Sequence, residues 1–468
     1  MAGKSLKLGL IASAVSAVAS IAGSVSAQEQ PWLQDRRLGE GMGIRAGDFE
    51  LHPGIAAEAG YDSNYFLRSG DGPEEAVVSV LRFRVTPSVS LSTLGPQRRS
   101  AVAAGAAPML TLRSGLWLSY NELVALDSNY SDLVSQQRHF DLGVGLQADI
   151  APQSRIGGDV YGDYVRTAEP SNQIVTDVTF DRGSLRGGAG VTYRPGGGLF
   201  EWRLGYELRV NYFEDVAYQI YDNYLSSVLT RGRWRFLPRT AILYDAQYSW
   251  LRYTNQQSPE NDGEYMQARM GLNGLITNRF AFMTLLGWTS SYFVDRGNHI
   301  AQNYDGMVGQ GELKWFLLPA PTGDSASVGL SAIALGYTRN FSPSYLGSFY
   351  IRDRGYGNFN YFVGGVILIT GELGIGRYNY PASQFETTPG SNDYGDNSAF
   401  AETRVDTRLY GEYRFSDTLA ANATLLYDQR ISGADIGVTD TDPNDNLEGT
   451  EDINYSRWQL WFGARWFM

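Results

Sequence analysis

The feature that most constrains this chain is a strict period of two, plainest in its last stretch, Tyr455 to Met468. Trp458, Leu460, Phe462, Ala464, Trp466 and Met468 are apolar, whereas Arg457, Gln459 and Arg465 between them are polar or charged. Residues two apart share one face of a strand, so this stretch has one apolar face and one wet face. Phe200 to Tyr212 repeats the design. Phe200, Trp202, Leu204, Tyr206, Leu208, Val210 and Tyr212 form one face; Glu201, Arg203, Gly205, Glu207, Arg209 and Asn211 form the other. Aromatics crowd its ends and aliphatics sit nearer the middle. Two interfaces around a hydrocarbon band want that order.

The pattern recurs in hairpins. Val77 to Ser92 sets Leu81, Phe83, Val85, Val89 and Leu91 against Arg82, Arg84, Thr86, Ser88 and Ser90. Phe140 to Ile150 turns through Pro152 into Ile156 to Val165, with Asp159 and Asp163 on the wet face. Later pairs turn at Pro238, at Thr277 to Arg279, around Pro319 and Pro321, at Gly364 and at Ser416 to Thr418. The count is about 18 strands, even as a single-chain bacterial barrel requires. Tight turns alternate with long connections rich in Asp, Asn, Gly and Ser, notably 127–137, 166–178, 381–398 and 431–453. Short turns belong at the periplasmic rim and long loops outside, with 94–108 the exception. The expected fold is all-β: one transmembrane antiparallel up-and-down β-barrel over residues 49–468.

The start of the chain fits that destination. Lys4 and Lys7, the apolar run Leu8 to Ile21 and the small residues Val25-Ser26-Ala27 read as a signal peptide over 1–27. Residues 28–48, with Pro31 and four glycines, read as a periplasmic leader without a fixed fold. The expected location is the outer membrane of a Gram-negative bacterium, with its lipid as partner. A negative mean hydropathy does not contradict this, because alternation hides the apolar band. The absence of cysteine excludes disulfides and thiolate metal sites. Removing Lys4 and Lys7 takes the formal charge from −12 to −14, which argues against nucleic acid as a partner.

Two resemblances carry the reading further. The closing Gly463, Trp466 and Met468 resemble the Gly-x-x-apolar-x-apolar signal of the last strand in bacterial outer-membrane barrels, with Met rather than Phe at the end. Phe49, Leu51, Pro53, Gly54, Gly60, Tyr61, Asp62 and Asn64 resemble the opening of the outer-membrane beta-barrel porin 2 family, and Phe349 to Arg354 echoes it. That resemblance implies a role in exporting a secreted or surface polysaccharide, with periplasmic polysaccharide-export proteins as partners.

The wet faces carry the candidate chemistry. Arg82, Arg84, Asp159, Asp163, Glu201, Arg203, Glu207, Arg209, Arg231, Arg233, Arg235, Arg404, Asp406, Arg408, Glu412 and Arg414 are the expected pore-lining charges. Many should brace the wall as Arg–carboxylate pairs across strands, and Arg rows left over would favour anions. Wet-face Trp117, Tyr161, Tyr410 and Trp461 are candidates for stacking on sugar rings. Catalysis has little to stand on. The three histidines, His52, His139 and His299, have no helical metal spacing, and no serine sits in an elbow motif. Neither enzyme activity nor a cofactor is expected. Asp440, Asp442, Asn444 and Glu451 match the first, third, fifth and twelfth ligands of a calcium loop. Asp445 stands where that loop needs glycine and Pro443 intrudes, so the stretch reads as a solvated acidic loop. The leading expectation is a polysaccharide conduit. A general or anion-preferring diffusion porin and a non-transporting surface scaffold or adhesin are its alternatives.

Overall fold

The computed structural model describes residues 43–70, 76–94, 109–168, 181–255, 258, 261–294, 301–317, 331–344, 348–364, 366–386, 394–433, 435–437 and 450–468. The stretch read as a signal peptide, and the part of the expected leader up to residue 42, lie outside them. Eighteen strands form the wall: β1 Phe49–Asp62, β2 Val80–Thr93, β3 Leu110–Ala125, β4 His139–Ile150, β5 Ile156–Thr167, β6 Arg182–Tyr193, β7 Phe200–Phe213, β8 Asn223–Leu237, β9 Thr240–Tyr253, β10 Asp262–Leu275, β11 Phe280–Val294, β12 Asp305–Phe316, β13 Ala332–Pro343, β14 Phe349–Val363, β15 Ile367–Tyr380, β16 Phe400–Arg414, β17 Leu419–Ser432 and β18 Tyr455–Phe467. Each pairs antiparallel with its sequence neighbours. β1 also pairs with β18, from Gly54 opposite Phe467 to Asp62 opposite Gln459. The sheet is therefore a closed barrel, and both ends of the wall lie at one rim.

Closure follows from the solvent. Hydrocarbon offers no hydrogen bonds, so a sheet crossing it must leave no open edge. At 12 to 16 residues the strands exceed the length a crossing needs. Their apolar faces stay open to the surroundings: Phe462, Leu286 and Val191 are 59%, 62% and 58% exposed. Exposed apolar surface running around a whole barrel is a lipid contact. Aromatics band both ends. Trp234, Trp315, Phe415 and Trp466 mark the rim of short turns; Phe140, Tyr224, Tyr292 and Trp458 mark the other.

Three details differ from the sequence reading. Ile44–Ala46, expected to lack a fold, pairs with Phe49–Leu51 through a turn at Gly47, whose φ is +64°. β18 runs out at the chain end, and this short strand covers the β1 edge below it. The outer connection after β3 contains a short helix, Ser131–Gln136. Val134 anchors it in an apolar cluster with Tyr65, Phe66, Val78, Val80 and Leu123. Lastly, the family-like stretch Phe349 to Arg354 is not a separate opening motif but the beginning of a mid-wall strand, β14.

A charge network fastens the seam. Asp62, fully buried, accepts from Arg457 Nε at 2.9 Å, from Gln459 Nε2 at 3.1 Å and from Arg82 Nη1 at 3.4 Å. It thus joins β1, β2 and β18. Arg82 and Arg84 lie over the Trp461 ring at 5.0 and 4.0 Å, and Arg84 Nε donates to Glu58 at 2.6 Å. Removing one partner from a buried pair strands the other and costs about 3–5 kcal/mol. An exposed pair is worth about 0–1 kcal/mol. Asp62→Asn is therefore expected to lower the thermal midpoint of the folded barrel, followed by its heat-modifiable gel band, far more than Asp163→Asn. Equal shifts for the two would refute this account of the seam.

Candidate functional site

The second face of every strand points inward, and its polar groups form the lumen. The wall has two characters. Across β15 to β2 most charges are buried and tightly joined, with Glu372 and Asp406 the exposed exceptions. Glu412 accepts from Arg414 at 2.9 Å and from Arg465 at 2.6 Å; Glu402 pairs with Arg404 and Arg430. The side chains of Asp62, Glu402 and Glu412 are wholly hidden. Elsewhere the inward carboxylates reach solvent: Asp163, Glu201 and Asp245 are 36%, 34% and 30% exposed.

Large inward side chains lie along the wall over glycines of the next strand. A Cβ at Gly60 would sit 2.5 Å from the Trp461 ring, and one at Gly143 would overlap Trp117. Gly188 and Gly336 make the same room for Tyr161 and Tyr356. Arg203 lies over Gly190 and Gly205 to reach Asp159 across two strands, with bonds of 2.7 and 2.6 Å. Arg354 lies over Gly374 to reach Asp406. Glycine has no side chain to oppose this close approach. The glycine-rich wet face thus keeps big groups against the wall and out of the lumen.

The register places every expected pore-lining charge on this inward face. Arg82, Arg84, Glu412, Arg414 and Arg404 belong to the dense wall just described, as does Arg408, opposite Glu372 on β15. Arg203 holds Asp159, Arg186 holds Asp163 at 2.7 Å, and Arg354 holds Asp406. Glu207 accepts from Tyr161 at 2.6 Å and lies 3.5 Å from Arg209. Glu201 lies 3.3 Å from Arg194 and 3.4 Å from Arg233. Arg231 and Arg235 are different. Among the described residues they make no hydrogen bond or ion pair through their side chains, and Arg231 is exposed. Arg113 on β3, also inward and exposed, matches them. Of the closing signal, Gly463 faces inward between Glu58 and Asn422, and Trp466 and Met468 face lipid.

Sequence reasoning missed Glu58, Asp62, Arg186, Asp245, Arg269, Arg354, Glu402 and Arg430. Parity carried the signal. Asp245, for instance, alternates with outward Tyr244 and Ala246, as Arg231 opposite it alternates with Gly232.

Of the aromatics considered for sugar stacking, two are hidden and two, Trp117 and Tyr161, are partly exposed against the wall. Trp461 and Tyr410 are buried, Trp461 beneath two arginines and Tyr410 bonded to Glu412. Tyr161 is tied to Glu207. At the outer mouth, apolar clusters fold inward on two sides. One holds Tyr65, Phe66 and Val134; the other sets Tyr304 against Leu251, Tyr253 and Phe293. His139 Nδ1 lies 2.7 Å from the Gln137 carbonyl and Nε2 3.6 Å from Asp141, while His52 Nδ1 is 2.9 Å from the Met468 carbonyl. Just outside the strands, a hydrogen bond from Arg166 holds Glu214 below the usual carboxylate range, and burial raises Asp181. Among the described residues no group of three His, Asp or Glu could hold a metal. Asp440, Asp442 and Asn444 lie outside them, and Glu451 stands opposite Ile436 in a small outer hairpin.

No protein-family model and no curated protein matches this chain. Solved outer-membrane structures do. OpdK of Pseudomonas aeruginosa, solved with vanillate, is 10% identical over 89% of this chain and 99% of its own, with a TM-score of 0.43. OccK5 of the same organism is 8% identical over 90% and 100%, at 0.41. The FrpB iron transporter of Neisseria meningitidis is 7% identical over 91% and 82%, at 0.42. The barrel itself decides the class, being closed, apolar outside and charged within. The chain is an outer-membrane β-barrel.

The glycine arrangement has a direct test. Gly143→Val is expected to push the Trp117 ring off the wall and lower single-channel conductance. Adding Trp117→Ala should restore it, because the two sites are coupled by contact. Unchanged conductance in the single variant would mean that the ring does not depend on the glycine.

Proposed function

We propose that this protein is a diffusion porin that prefers small anionic solutes. The observation that carries the reading is a separation of charge. The whole chain is acidic, at −12, yet along the inward faces of the strands Arg and Lys outnumber Asp and Glu. Most of these charges neutralise one another in pairs. Exposed cations are left over, Arg113 and Arg231 foremost, with the half-exposed Arg235 on the same strand as Arg231. A hydrated path with surplus fixed positive charge raises the local concentration of anions and repels cations. Exposed carboxylates such as Asp163, Glu201 and Asp406 show that solvent reaches the inner wall, which weighs against a plugged surface scaffold.

Polysaccharide export, implied by the family resemblance, draws no support from this lumen. A sliding polymer wants sugar rings to meet exposed aromatic faces; Trp461 and Tyr410 are covered, and the partly exposed Trp117 and Tyr161 lie along the wall over glycines. The diffusion reading uses the groups that are open.

Purified protein in a planar bilayer under a potassium chloride gradient tests the proposal. The reversal potential is expected to lie toward the chloride equilibrium potential. Arg231→Glu combined with Arg235→Glu should move it toward that of potassium. A cation-selective wild-type channel would overturn the reading.

A further inference from the structure

We infer that Arg231, Arg233 and Arg235 form an oxyanion-binding relay in the lower half of the lumen, taking phosphate-class anions in preference to chloride. This rests on the anion-porin reading and goes further, because repelling cations needs only charge whereas a relay needs binding.

The three arginines stand at alternate positions of one strand, so all face inward about 7 Å apart. β8 ends at the turn Pro238–Arg239, which places Arg235 nearest the rim and Arg231 deepest. The register explains why Arg231 is free. Its cross-strand neighbours are Arg203 on β7 and Asp245 on β9. Arg203 is a like charge, held in place by two bonds to Asp159. Asp245 is the natural partner, but Arg269 on the far side takes it at 2.9 Å. Like charges directly opposite on a sheet are destabilising. With the Arg203 guanidinium drawn toward Asp159 and Asp245 held by Arg269, the Arg231 guanidinium has no fixed counter-charge, and an anion placed there lowers the energy. Arg233 shares Glu201 with Arg194 at 3.4 and 3.3 Å, so one carboxylate faces two cations there as well.

The chemistry of the donor selects the ligand. A guanidinium offers a planar fork of N–H groups that fits two oxygens of one oxyanion. Chloride, a single sphere, must share one acceptor between the two donors and matches the fork less well. The spacing lets an oxyanion leaving one fork meet the next, which suits passage rather than capture.

The probe is inorganic phosphate against chloride current through single barrels in a planar bilayer at constant ionic strength. Phosphate is expected to reduce the wild-type current saturably. Arg231→Gln with Arg235→Gln should raise the half-blocking concentration about tenfold, the equivalent of about 1.4 kcal/mol. Arg377→Gln, on the outward face of β15, should leave it unchanged. Arg231→Lys keeps the charge and loses the fork, so it should weaken the block while preserving anion selectivity. It also serves if the double variant fails to fold. A block that is absent, or identical in wild type and Arg231→Lys, overturns the relay. If the wild type remains anion-selective in that outcome, the porin reading stands and only the relay falls.

Discussion

Every peptide group that crosses hydrocarbon must find its hydrogen-bond partner within the protein, and the rest of this structure depends on that demand. Eighteen strands satisfy it by closing β18 onto β1. Closure brings chain ends far apart in sequence to one seam, where only side chains made at opposite ends can secure the register. Asp62 and Arg457 do this from within, at full burial. Outside, Trp458 and Trp466 present the same strand to lipid. One period-two sequence thus serves two solvents at once.

The demand on the interior is different. Charges facing a lumen must be neutralised or hydrated, yet long side chains projecting inward would fill it. Pairing across strands meets the first need and glycine meets the second. Arg203 reaches Asp159 only by crossing a strand, and it lies flat because positions 190 and 205 have no side chain. The same device holds Arg354 over Gly374 and Trp461 over Gly60. The buried pairs contribute modestly to stability, since desolvation offsets much of their attraction. Their larger effect is geometric, fixing where each guanidinium lies.

Much of this was legible in the sequence. Parity alone assigned Phe200 to Tyr212 its two faces, and hairpin counting gave the strand number. The face of a residue follows from its neighbours at plus and minus two, so local sequence suffices. Partner choice does not work that way. Whether Asp245 serves Arg231 or Arg269 depends on the register of three strands and on side-chain reach, neither of which a single strand encodes. The covering of Trp461 was hidden for a similar reason, because the arginines over it come from β2, nearly four hundred residues away. The inward fold of Tyr65 and Val134 was missed because outer connections carry no period to read.

The contrast between the acidic chain and its basic lumen follows from where pairing fails. A wall built wholly of matched pairs presents alternating dipoles and has little preference for the sign of a solute. Selectivity then comes from the few residues the pairing leaves out, whose charge is opposed by nothing fixed. In this barrel the local surplus is guanidinium. Arg231 stands between a like charge already bound and a carboxylate already taken. Its freedom comes from the bonds its neighbours make, so under the anion-porin proposal a change at Arg269 or Asp159 would alter selectivity without touching Arg231 itself.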